Sequence, residues 1–114
     1  MNPGIIVMKT VEEYYAIAKD LFLEAHPTLK AGIENLTADQ AATLGMTVEQ
    51  LQSMQKDRAY AAYVREKKLD GMLFAIQLAE PDKAVMVNAI EAYLHTHAEA
   101  LGMSWEEFCI KNEL

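Results

Sequence analysis

The chain is short of the residues that usually announce a chemistry. Among its 114 residues are one cysteine (Cys109), three prolines and five glycines. A lone cysteine excludes an internal disulfide framework and suits a reducing compartment. Scarce proline and glycine beside 52% hydrophobic residues exclude a disordered or low-complexity chain. There is no glycine-rich phosphate loop, no paired-cysteine motif and no nucleophile elbow. No stretch approaches the ~20 apolar residues of a membrane span. Ile5-Ile6-Val7-Met8 has no basic residue ahead of it and is too short for a signal-peptide core. Basic residues are also few. Ten Lys and Arg face 17 Asp and Glu, a net charge of −7, which disfavours unspecific attraction to phosphate backbones and anionic lipid. The expectations are a cytoplasmic protein with no cofactor and no metal.

What is present is a phrase stated twice. Leu44-Gly45-Met46-Thr47-Val48-Glu49-Gln50-Leu51 returns 57 residues later as Leu101-Gly102-Met103-Ser104-Trp105-Glu106-Glu107-Phe108. Each copy places glycine where a helix stops, then a hydroxyl residue where the next begins, with Gln50 or Glu107 three places on. A helix-ending glycine followed by a capping box predicts a helix–corner–helix joint in both halves. Outside the joint the matches (Leu21/Leu78, Ile33/Ile90, Ala41/Ala98) are sparse, and helical apolar spacing alone produces such coincidences.

Everything after residue 9 reads as helix, with no alternating strand pattern. Thr10 with Glu13 opens a first helix to about Ala25, its stripe formed by Val11, Tyr14, Ala18, Leu21 and Ala25, widened by Tyr15 and Phe22. Pro27 ends it. A short helix from Leu29 to Asn35 and another from Thr37 to Gly45 follow. A long helix then runs from Thr47 to about Lys68. Asp70-Gly71 marks a break before the apolar segment Met72–Ala79. Pro81 is expected as the first residue of a helix reaching Leu101, and Ser104 opens the last. The fold class is therefore all-α: one compact helical bundle of five to seven helices over residues 10–114, with residues 1–9 a flexible N-terminal segment.

Four groups of residues are candidates for function. Tyr60 and Tyr63 lie on an apolar stripe, and tyrosine suits half-buried rims because its hydroxyl can stay wet; they are the candidate interface. His97, Tyr93 and Met86 share the apolar side of the long C-terminal helix and are the candidate lining of a ligand cavity, with His97 as acid, base or pH-sensitive group. The segment Gln40–Met54 fits a helix-turn-helix. In it Thr47, Gln52 and Ser53 would address bases, and Lys56 and Arg58 phosphates, although Glu49 sits on the reading face and the local basic cluster is small. Glu91, His95 and Glu99 share a polar face, where charge pairing is favoured over metal binding. Cys109 has Glu106, Glu107 and Glu113 nearby, the wrong charge for a catalytic thiolate.

The C-terminal phrase Leu101-Gly102-Met103-Ser104-Trp105-Glu106-Glu107-Phe108-Cys109-Ile110-Lys111-Asn112 resembles the ending Leu-Gly-x-Ser-Trp-x-Glu-Tyr-Cys-x-x-Asn of a family of small bacterial proteins, domain-of-unknown-function family 6388. Phe22-Leu23-Glu24-Ala25-His26-Pro27 and Gln77-Leu78-Ala79-Glu80 are also similar to it. Phe108 replaces a tyrosine and removes a hydroxyl. The resemblance implies an all-helical bacterial cytoplasmic protein and carries no catalytic residue to transfer.

The functional expectation is a non-enzymatic protein-interaction module, acting as a homodimer or on another protein through an aromatic and methionine-rich face. The alternatives are a ligand-binding or enzymatic bundle around His97, and a DNA-binding regulator; no membrane association is expected, and nucleic acid is disfavoured.

Overall fold

The computed structural model describes residues 8–113. Among them are seven α-helices and no strand: α1 (Val11–Glu24), α2 (Pro27–Glu34), α3 (Ala38–Thr43), α4 (Val48–Glu66), α5 (Gly71–Ala79), α6 (Lys83–Ala100) and α7 (Trp105–Lys111). The expected N-terminal segment falls mostly outside the described residues. Of its last two residues, Lys9 is tied to Glu80 by an ion pair of 3.4 Å.

Side-chain caps explain where most helices begin. Thr10, Thr37 and Thr47 each accept a hydrogen bond from the backbone N–H three residues on, and Glu13, Gln40 or Gln50 returns the bond to the threonine N–H. Asp70 and Asp82 cap α5 and α6. Pro81 therefore stands just before α6 rather than as its first residue, because the Asp82 carboxylate supplies the stronger start signal. Pro27 occupies the first position of α2, where its missing N–H costs nothing.

Both repeated joints form, with nearly the same backbone. Gly45 and Gly102 have φ of 70° and 68°. The N–H of Met46 donates to Ala41 O at 2.9 Å and that of Met103 to Ala98 O at 3.0 Å, while Gly45 and Gly102 donate to Ala42 O and Glu99 O. These are Schellman motifs, and the left-handed residue is glycine because a Cβ is disfavoured there. Ser104 caps α7 through Glu107 N, but without the reciprocal bond from the Glu107 side chain, so the second joint has half of the expected capping box. A third such ending closes α4: Leu69 N donates to Val64 O at 2.8 Å, with Lys68 at φ 57° in the glycine position.

The core is built around α1 and α5, the most extensively packed helix pair, with α2, α4 and α6 against them. Tyr14, Ala18 and Phe22 form the buried stripe of α1 at i, i+4, i+8; Val11, Leu21 and Ala25 are exposed, so the stripe is rotated from the expected one. Met72, Ala75, Ile76 and Ala79 are buried along α5, and Gln77 alone of its nine residues is exposed. Two elements stand apart. Among the described residues, helix α3 packs only on α4, and α7 packs only on α6.

Candidate functional site

Tyr60 is not at a surface. It is 3% exposed, its hydroxyl donates to Gly71 O at 2.6 Å, and its ring packs edge-on against Tyr15 and Phe22 and stacks with Phe74. A backbone carbonyl at the start of α5 satisfies the hydroxyl, so nothing holds the ring near solvent. Tyr63, half-buried, packs with Phe22, His26 and Phe74. The expected tyrosine interface is thus the seam of α4 with α1 and α5.

Around Asp70 and Gly71 a polar cluster ties α5 to its neighbours. Asp70 accepts from Met72 N and Leu73 N with one oxygen and from the Tyr93 hydroxyl at 2.9 Å with the other. Burial, with lesser contributions from Tyr15 and Asp70, pushes the Tyr60 hydroxyl up to about 12. Burial followed by the bond to Asp70 raises Tyr93 to about 12 as well. At the other end of α5, buried Glu80 accepts from the Tyr14 hydroxyl at 2.9 Å, from Lys9 at 3.4 Å and from Asp82 N at 3.3 Å. Burial pushes its carboxyl up, but these three donors outweigh that and leave it below the ordinary carboxylate value. Both clusters fasten helices: no buried side-chain nitrogen or oxygen among the described residues lacks a partner. Sequence reading missed Asp70 and Glu80 as anchors. Asp70-Gly71 carried the cap signal for one of them, while Glu80 had no local signal.

Tyr93, Met86 and His97 do not converge. Tyr93 lines a cleft of about 180 Å³ between α1, α5 and α6, together with Val11, Tyr14, Met72, Ile76 and Thr96. Met86 packs against the main core and lies outside that lining. His97 is exposed, with Tyr93 at 6.0 Å on one side and Phe108 at 5.8 Å on the other. The reason is length. Eighteen residues at ~1.5 Å each carry α6 about 27 Å, and its packing on the main core ends at Tyr93, so the same helical stripe leaves the core before His97.

The helix-turn-helix candidates are similarly committed elsewhere. Thr47 is occupied as the α4 cap, half-buried Gln52 donates to Ile33 O at 3.4 Å, and Lys56 pairs with Asp20 at 2.9 Å. The face expected to read bases therefore looks onto α1 and α2. Thr47, Ser53 and Arg58 of that set are exposed.

Beyond Tyr93, the rest of α6 and all of α7 form an arm. Ala98 and Phe108 are buried where the two helices meet, His95 stacks on Trp105 at 3.7 Å, and Trp105 stacks with Phe108. That small contact uses one side of α7. Ile110 on its other side is 80% exposed, Leu101 at the corner is 57% exposed, and Cys109 is half-buried. Glu91, His95 and Glu99 form no metal group, and no cluster of three or more potential ligands occurs among the described residues.

A model of a family of unknown function, DUF6388, matches residues 8–114. The chain belongs to that family. No curated protein and no solved structure matches it. The DUF6388 match covers both halves and both joints, so the arm lies inside the family's domain. No helix among the described residues is long and apolar enough to cross a membrane.

Proposed function

We propose that this DUF6388 chain is a non-enzymatic protein-interaction module that works as a homodimer in the bacterial cytoplasm. One observation carries the reading: among the described residues α7 packs on α6 alone and turns Ile110 and Leu101 to solvent. A seven-residue helix is too short to persist in water without a packing surface. One that leaves its most hydrophobic residue 80% exposed gains from covering it. The cleft at Tyr93 supports a small-molecule role less well, since its Tyr14 and Tyr93 hydroxyls are already bonded to Glu80 and Asp70.

The test is mass measurement by native mass spectrometry and light scattering on the wild type and on Ile110→Lys. The reading expects a wild-type dimer at micromolar concentration and a monomeric variant with the helix content of the wild type by far-UV circular dichroism; its melting temperature falls only by the association free energy that the wild type gains. A wild type that stays monomeric at high micromolar concentration overturns it.

A further inference from the structure

We propose that the arm of one copy docks on the outward face of α4 of a second copy, and that the exchange is reciprocal. This rests on the self-association reading and goes beyond it by naming both surfaces and their chemistry.

The two surfaces are complementary in charge. Residues 99–113 carry Glu99, Glu106, Glu107 and Glu113 against the single Lys111. Residues 58–68 carry Arg58, Arg65, Lys67 and Lys68 against the single Glu66. The excess is three charges of opposite sign on each side. None of these bases and none of these acids forms an ion pair among the described residues, whereas Lys9, Lys19, Lys30 and Lys56 all do. Within one chain the two surfaces do not meet, because among the described helices α7 touches only α6. Arm-to-arm pairing would bring like charges together, so charge points to the unlike surface on another copy.

The surfaces are also complementary in shape. Arg58 and Arg65, seven residues apart, share one side of α4, about 150° from buried Tyr60 and about 10 Å apart along the axis. Between them that side carries only Ala61 and Ala62, both exposed, which lets a partner helix approach closely. On α7, Glu106 and Ile110 lie one turn apart on the side away from Phe108, with Glu113 just past the helix end. Ile110 set on the Ala61–Ala62 shelf brings carboxylates on both sides of it toward Arg58 and Arg65. Arginine suits such pairing because its guanidinium grips a carboxylate with two parallel hydrogen bonds. A two-fold dimer makes this contact twice, each copy supplying an arm and receiving one.

The experiment uses two charge-reversed full-length chains: Arg58→Glu with Arg65→Glu, and Glu106→Lys with Glu113→Lys. Alone, each puts like charges in both contacts, and its dimer is expected to weaken about a hundredfold. Mixed, the acidic arm of the first meets the intact α4 of the second, and the lysine-bearing arm of the second meets the glutamates of the first. Native mass spectrometry should then show a 1:1 heterodimer in preference to either homodimer. Glu106 sits in the first turn of α7, where a carboxylate favours the helix. The wild type therefore supplies an independent reading: raising salt from about 50 mM to about 500 mM should weaken its dimer at least about tenfold. If the wild type dimerises but either variant pair associates normally, or the mixture gives no heterodimer, the mapping is wrong and the self-association reading stands. Open-ended assemblies in place of the dimer overturn reciprocity. A monomeric wild type removes both readings.

Discussion

Replacing Tyr60 separates a core tyrosine from an interface tyrosine, and the structure fixes the size of the effect. Tyr60→Phe keeps the ring among Tyr15, Phe22 and Phe74 and removes one hydrogen bond of 2.6 Å to Gly71 O. That carbonyl lies in the first turn of α5 and can also accept within the helix, so the loss is that of an ordinary bond, about 0.5–1.5 kcal/mol. For a domain of this length about 1 kcal/mol lowers the melting temperature by roughly 4 °C, so a fall of about 2–6 °C is expected. Tyr60→Ala removes the whole buried ring and should cost about 3–5 kcal/mol. Urea titrations followed by far-UV circular dichroism measure both, with dimer affinity measured in parallel for Tyr60→Phe. Core placement predicts graded loss of stability with an unchanged urea slope, and a Tyr60→Phe dimer as tight as wild type. Unchanged stability in Tyr60→Ala, with weakened association, would refute the packing of α4 on α1 and α5.

Other outcomes follow from backbone geometry and from the tyrosines. Lys68 ends α4 in the left-handed region at φ 57°. That conformation costs a non-glycine residue about 1–2 kcal/mol, against about 0.4–1 kcal/mol for glycine's greater freedom when unfolded. Lys68→Gly should therefore stabilise the protein by about 0.5–1 kcal/mol in a denaturant titration, and a destabilised variant would contradict the helix ending described. Tyr60 and Tyr93 hold their protons to about 12 in the fold, while an unfolded tyrosine releases its proton near 10. Their contribution is full below pH 10 and lost as pH rises toward 12. Helix content should collapse together with late phenolate formation in an alkaline titration; five tyrosines titrating near pH 10 with helices intact would exclude this.

Much of the fold was legible because it is written locally. Threonine caps at residues 10, 37 and 47 and the two corner glycines act over three to six residues, which a sequence pattern reports directly. Function was less legible because it depends on which side of a helix meets which neighbour. Tyr60 reads as a rim residue until Gly71, eleven residues away, supplies its partner. His97 keeps its place on an apolar stripe while the core beneath that stripe ends at Tyr93. Gln52 and Lys56 look free until α2 and α1 fold over them. Glu80 reads as surface charge, and only the fold brings Tyr14 and Lys9 to it.

The repeated joint provides a final test, because the same backbone is set in two different surroundings. At both joints alanine must adopt φ near +70° in place of glycine, a strain of about 1 kcal/mol, with no side chain close enough to add a clash. After Gly45 the next helix is α4, held by α1, α2 and α5 as well as by α3, so it cannot loosen without opening the main core. After Gly102 the next helix is α7, which among the described residues is held by α6 alone. The difference arises upstream. In the first half, residues 35–37 break the chain between α2 and α3, and the joint leads straight into α4, which packs on the core. In the second half, the corresponding stretch is continuous within α6 and carries the joint outward. Gly45→Ala should therefore lower the global unfolding midpoint by the full strain. Gly102→Ala should leave that midpoint nearly unchanged and instead reduce hydrogen-exchange protection in residues 103–112, since an arm can open locally at lower cost than the core. If the arm is the dimer contact, Gly102→Ala also weakens the dimer and Gly45→Ala does not. Equal falls in midpoint for the two variants would mean that α7 unfolds with the core, and that something other than α6 holds it.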